Sequence, residues 1–267
     1  MTARLALLAA AVVLAGPVLA QQARQPDRQA QVPPAGMGGG AVDPMRPTIA
    51  PLTAFPDPDI ALGRRVMAGG GREMSAGQAC VTCHGAQGIG DPSGGFPRLS
   101  GEAAWYLYKQ LKDYATGARP NDVMTPIARS LSDEEMQAVA AYYASRLGAP
   151  AYPPPQDVDP ALLQVGAVLS AVGSPAQGIQ ACVNCHGPAG TGLPPSYPYL
   201  AGQYAQYQML QLRLWREGVR DNDPLNVMRE IALRMTEEQI RAVSLYFESV
   251  RPPNADLGEP AGAADGG

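Results

Sequence analysis

Apolar residues recur at helical spacing along most of the chain, and no stretch shows the strict alternation of a half-buried strand. Ile60, Leu62 and Val66 follow Asp59, a residue suited to capping a helix start. Tyr108, Leu111 and Ala115 fall at i, i+3 and i+7, which predicts a helix from about Glu102 to Thr116, capped by Ser100 and stopped by Gly117. Ser132-Asp133-Glu134-Glu135 and Thr236-Glu237-Glu238-Gln239 are capping boxes at the heads of two further helices. Leu131 with Met136, and Met235 with Ile240, stand at the two positions of a hydrophobic staple around those caps.

The pattern repeats. An offset of 102 carries Cys80 onto Cys182, and an offset of 101 carries Leu99, Gly101, Leu111, Gly117 and Arg119 onto Leu200, Gly202, Leu212, Gly218 and Arg220. Beyond a loop three residues longer in the second half, the offset is 104, and Val123-Met124 meets Val227-Met228. A period of about 100 residues is too long for a solenoid unit and indicates two similar domains in tandem.

Composition sets the frame around them. Residues 1–20 carry Arg4, an apolar run from Leu5 to Leu14, and Val18-Leu19-Ala20 before Gln21, the pattern of a cleaved secretory signal. Residues 21–55 are rich in Gln, Pro and Gly without hydrophobic period and read as a disordered tether; 253–267 read as a disordered acidic tail. The first domain is expected over 56–150 and the second over 151–252, joined by a Pro-rich linker at 148–160. The net charge of −4 is spread evenly, with no basic patch for nucleic acid. Aromatics make up 6% of the chain, so domains this small have little core of their own.

Cys80-Val81-Thr82-Cys83-His84 and Cys182-Val183-Asn184-Cys185-His186 use every cysteine and histidine present. Cys-x-x-Cys-His is the attachment pattern of c-type haem. Cys80, Cys83, Cys182 and Cys185 would form thioethers to the haem vinyl groups, and His84 and His186 would ligate the irons. A thioredoxin-like site lacks its βαβ context, a structural zinc site lacks a fourth ligand, and disulfides leave the paired histidines unexplained.

The sixth ligand is sought among ten methionines, since no histidine or cysteine remains. Met1, Met37 and Met45 lie before the domains, Met67 and Met74 have no partner in the repeat, Met136 and Met235 belong to the staples, and Met209 aligns with Tyr108 on a helix face. Met124 and Met228 occupy the same place in both halves, in loops preceding a helix. They are the expected metal ligands, with ordinary apolar plugs as the competing reading. Arg98 follows the first motif, as a haem propionate partner or a solvated charge, with Tyr199 in the matching place. Trp105 aligns with Gln206 and has no aromatic counterpart; Trp215 aligns with Tyr114, and these two read as core rather than electron relay.

Both Cys-x-x-Cys-His-Gly motifs, Met124 and Met228, and the helix starts at Ser132 and Thr236 resemble those of a dihaem class I cytochrome c of the cytochrome c4 type, over about residues 56–250. The resemblance implies an all-α fold: two tandem class I cytochrome c domains, each wrapped around one covalent haem c, in a pseudo-twofold arrangement. It implies a periplasmic electron carrier between respiratory-chain donors and a terminal oxidase or reductase, with redox protein partners, no small-molecule substrate and possible peripheral membrane association. The long tether departs from that family. Met/His ligation closes the iron to substrate, which points away from enzymes such as peroxidases. A c-type haem subunit of a flavin- or quinone-dependent dehydrogenase is the alternative.

Overall fold

The computed structural model describes residue 55 and residues 58–75, 77–147, 155–223 and 225–251. The signal at 1–20, the acidic tail, the linker centre and nearly all of the tether lie outside the described residues. Ten α-helices are seen among the described residues, five in each half. The first set is α1 (Ile60–Met67), α2 (Cys80–His84), α3 (Ala104–Thr116), α4 (Met124–Arg129) and α5 (Asp133–Ala144). The second is α6 (Pro160–Ala171), α7 (Val183–His186), α8 (Ala205–Glu217), α9 (Val227–Arg234) and α10 (Glu237–Ser249). The only β-pairing among them consists of two isolated bridges, Ser174 with Ile179 and Leu193 with Tyr197.

Most of the expected starts and stops are present. The Asp59 carboxylate accepts the Leu62 N–H at 2.7 Å. Ser132 with Glu135, and Thr236 with Gln239, form complete capping boxes. Gly117 ends α3 and Gly218 ends α8 in left-handed conformation, at φ 88° and 71°, where any other residue would be strained.

Three expectations need correction. Ser100 does not cap α3: its hydroxyl and its N–H both go to the Gly88 carbonyl, and the helix begins after Ala103 without a side-chain cap. Met124 and Met228 lie inside the first turns of α4 and α9 rather than in the preceding loops. Asn121 Oδ1 accepts the Met124 N–H at 2.8 Å and Asp223 Oδ2 accepts the Met228 N–H at 2.7 Å, which nucleates each turn early. The linker ends sooner than expected, because Asp159 caps α6 and Pro160 is its first residue.

Each half builds its core the same way. α1 packs on α5, and α6 on α10. The approach is close enough that a Cβ on Gly63 would sit 2.2 Å from the Ala138 carbonyl oxygen, and one on Gly166 2.3 Å from that of Ala242. α5 is wrapped by α1 and α3, and everything from Ala138 to Ala144 is buried. The first core gathers Val66, Met67, Leu131, Met136, Val139, Tyr142 and Tyr143. The second gathers Leu169, Met209, Met235, Ile240, Val243 and Phe247. Both staples and Met209 are therefore core. Trp215 is buried and stacks under Arg220, whereas Trp105 is 40% exposed, against Phe55 and Tyr108. All described residues belong to one compact unit.

Candidate haem sites and the seam between them

Each Cys-x-x-Cys-His run forms one helical turn, ended by a glycine that no other residue could replace cheaply: Gly85 at φ 72° and Gly187 at φ 75°. The turn holds the two thiols and the imidazole of one motif together. All four thiols are free. Burial pushes the Cys80 and Cys182 thiols up to about 11, so they stay protonated until used.

His84 and His186 are buried, and burial lowers both imidazoles below the usual histidine range. His84 Nδ1 lies 2.9 Å from the Pro97 carbonyl oxygen, and His186 Nδ1 2.9 Å from that of Pro198. A carbonyl only accepts, so the proton sits on Nδ1 and the Nε2 lone pair is left to face a metal. Edge-on rings, Phe96 at 6.3 Å and Tyr197 at 6.1 Å, set the plane of each imidazole. Gly88 and Gly190 press on Tyr143 and Phe247, where a Cβ would come within 2.5 Å of the ring.

Met124 and Met228 are half-buried, in the first turns of α4 and α9. α2 packs against α1, and α4 against α3. Paired free thiols and a buried imidazole whose Nε2 carries no proton form a donor set suited to haem c, and each half has one half-buried methionine on a separate helix, a residue type that serves in Met/His ligation.

The sequence pattern missed the seam between the halves. Arg119 donates from Nη1 to Gln110 Oε1 at 2.9 Å, and from Nη2 to Tyr207 Oη at 2.8 Å and Gln211 Oε1 at 2.7 Å. Arg220 mirrors it, donating to Gln211 Oε1 at 2.9 Å, Tyr106 Oη at 3.1 Å and Gln110 Oε1 at 3.3 Å. Tyr114 lies under the first guanidinium and Trp215 under the second. Burial opposes the Arg119 charge, but the surrounding phenol oxygens, led by Tyr207, raise its pKa above the usual value. Asn222 extends the network to Asp113 at 2.6 Å. The signal was legible in principle: Tyr106, Gln110 and Arg119 recur unchanged as Tyr207, Gln211 and Arg220 at one offset.

A second pair of crossed bonds lies beside it. Glu102 Oε2 accepts the Tyr199 N–H at 2.9 Å, while Gln203 Oε1 accepts the Arg98 N–H at 3.0 Å and its amide donates to the Arg98 carbonyl at 2.9 Å. Arg98 is buried here rather than solvated.

An all-helical pair of domains, each with an attachment turn and an orienting carbonyl, defines a c-type cytochrome with two covalent haems. The cytochrome c family model matches residues 68–146. The chain is 45% identical over 206 residues to the thiosulfate dehydrogenase electron acceptor of Stutzerimonas stutzeri, spanning 76% of this chain and 92% of that protein. It is 36% identical to cytochrome c4 of Pseudomonas aeruginosa, spanning 72% and 95%. The crystal structure of reduced cytochrome c4 from Pseudomonas stutzeri superposes with a TM-score of 0.63 at 34% identity, covering 72% of this chain and 99% of that one. The chain belongs to the cytochrome c family, as a dihaem cytochrome of the c4 type. It is an electron carrier, it holds two covalently bound haem c groups, and its partners are redox proteins.

Proposed function

We propose that this chain is a periplasmic relay that takes electrons from a dehydrogenase and passes them toward a terminal oxidase or reductase. The observation that carries the donor side is the 45% identity, over 92% of its length, to a protein named as the electron acceptor of a thiosulfate dehydrogenase. Identity to the cytochromes c4 is lower, at 35–38%. The dehydrogenase acting here is thus one that oxidises a sulfur compound, which shifts the dehydrogenase-partner reading away from flavin or quinone enzymes.

Within this reading Cys80 and Cys83 hold the first haem and Cys182 and Cys185 the second. His84 with Met124, and His186 with Met228, are the axial pairs. The domains run over 56–150 and 151–252. The signal at 1–20 is removed, so intact mass begins at Gln21 and includes two haems. No helix among the described residues is long and apolar enough to cross a membrane; the tether offers a peripheral route to a membrane complex.

Stopped-flow mixing of the oxidised holoprotein with thiosulfate dehydrogenase and thiosulfate tests the donor. Full reduction of both haems within the enzyme's turnover time is expected. Reduction by a quinol-oxidising membrane complex but not by the dehydrogenase would overturn the assignment.

A further inference from the structure

The two crossed bonds at the seam end on particular amide groups. Glu102 accepts the N–H of Tyr199, and the carbonyl of that same peptide unit belongs to Pro198, the acceptor of His186 Nδ1. Gln203 accepts the N–H of Arg98, and the carbonyl of that peptide unit belongs to Pro97, the acceptor of His84 Nδ1. Each proximal histidine is therefore joined, through one amide, to a side chain of the opposite domain. The arrangement is symmetric in geometry and asymmetric in charge, because one terminus is a carboxyl and the other a neutral amide.

We propose that Glu102 of the first domain is a positioning residue for the second haem, setting its reduction potential through the Pro198–Tyr199 amide and taking up a proton when that haem is reduced. Hydrogen bonds in a chain polarise one another. A carboxylate on the Tyr199 N–H makes the Pro198 carbonyl a stronger acceptor. That carbonyl then draws harder on the His186 Nδ1 proton, and the imidazole becomes more electron-rich toward its metal. A more basic ligand favours the ferric state, so the ionised carboxyl holds the second haem at the lower potential. Gln203 gives the first haem the same bond without the charge.

The surroundings suit a group that titrates. Glu102, Arg98, Ser100, Tyr199, Ala201 and Gln203 line a cavity of about 10 Å³ at the seam. Burial, opposed by the Ala103 and Tyr199 N–H groups, pushes the Glu102 carboxyl up to about 8. The charged and titratable groups facing it are Arg98 and Tyr199 from the two loops and Tyr106 and Tyr207 from α3 and α8, with Tyr204 near Arg98 and the Arg119 and Arg220 guanidiniums behind the tyrosines. In the coupled step one electron passes from the donor protein to the iron on His186, and one proton passes from bulk water to the Glu102 carboxylate. The net charge of the seam is unchanged by the pair of events.

The inference rests on His84 and His186 as proximal ligands, which the wild-type spectrum tests separately from any variant. The experiment is a redox titration of the holoprotein from pH 5.5 to 9.5, with haem methyl NMR resonances reporting each haem. In the wild type, the electron-sharing equilibrium between the haems should shift toward the second haem as the pH falls through the Glu102 range. Glu102→Gln copies the side chain already present at 203, so the fold has a precedent for it. It should favour reduction of the second haem by about tenfold at pH 9 and abolish its pH profile, leaving the first haem in place. The reciprocal Gln203→Glu should lower the first haem's potential instead. Unchanged potentials and pH profile in Glu102→Gln would overturn the proposal. Equal movement of both haems would overturn it too, because a bare field effect requires no amide relay.

Discussion

Arg119 of the first half donates to Tyr207 of the second at 2.8 Å, and Arg220 returns a 3.1 Å bond to Tyr106. Two buried cations thus meet at one seam, and among the described residues neither makes an ion pair with a carboxylate. Phenol and amide oxygens hold both charges. Arg119→Leu would leave Tyr207 and Gln211 without their charged donor. The expected cost is about 3 kcal/mol in guanidinium unfolding of the holoprotein, with Tyr207→Phe costing about 1 kcal/mol. An Arg119→Leu protein as stable as the wild type would show that the seam contributes little to the fold.

The same seam bears on electron transfer between the haems. A docked interface fixes their geometry whatever the connection between the domains. Inserting ten flexible residues at Pro153-Pro154-Pro155 is expected to change the internal transfer rate by less than about twofold, measured by flash reduction. A merely tethered pair would slow down as effective concentration fell. Combining the insertion with Arg119→Leu should convert the first behaviour into the second.

Axial ligation has a direct assay. Met124→Ala is expected to open the first iron, and Met228→Ala the second, each allowing carbon monoxide to bind one ferrous haem per chain and lowering that haem's potential. Absence of carbon monoxide binding in both variants would move the sixth ligands elsewhere. Met136 and Met235 are poor substitutes, because both are buried in their helix cores.

Close packing of α1 on α5 makes Gly63 intolerant. The added methyl of Gly63→Ala would meet the Ala138 carbonyl and the Tyr142 Cβ at 2.8 Å or less, on backbone that cannot swing away. A loss of about 1–3 kcal/mol is expected from denaturant midpoints. Gly117→Ala tests a different mechanism: nothing lies within 4 Å of its added Cβ, and the cost comes from φ 88° alone. About 1 kcal/mol is expected there.

Much of this protein lies in short-range pattern, and that part was legible from residue order alone. Capping boxes at Ser132 and Thr236, stops at Gly117 and Gly218, and the attachment turns at Cys80 and Cys182 depend on neighbours a few positions away. Sorting ten methionines by repeat position separated core Met136, Met209 and Met235 from half-buried Met124 and Met228. Errors arose where a local group was claimed from far off. Ser100 has the look of a cap, but the Gly88 carbonyl twelve residues earlier takes its hydroxyl. For Arg98 the residue order leaves a propionate partner and a solvated charge both open; burial against the other half, with Gln203 on its backbone, removes the second.

Residue order alone determined an all-helical tandem repeat with two haem attachment turns, because period, capping and motif spacing are properties of adjacent residues. Tertiary structure decided what the repeat is for. Glu102 and Tyr199 are 97 positions apart, and Arg119 and Tyr207 are 88 apart. Nothing in the chain between them specifies that distance as a contact. Only the docking of the two halves, with the Arg119 and Arg220 charges held by phenol and amide oxygens between them, brings a carboxyl of one domain to the amide that orients the histidine of the other.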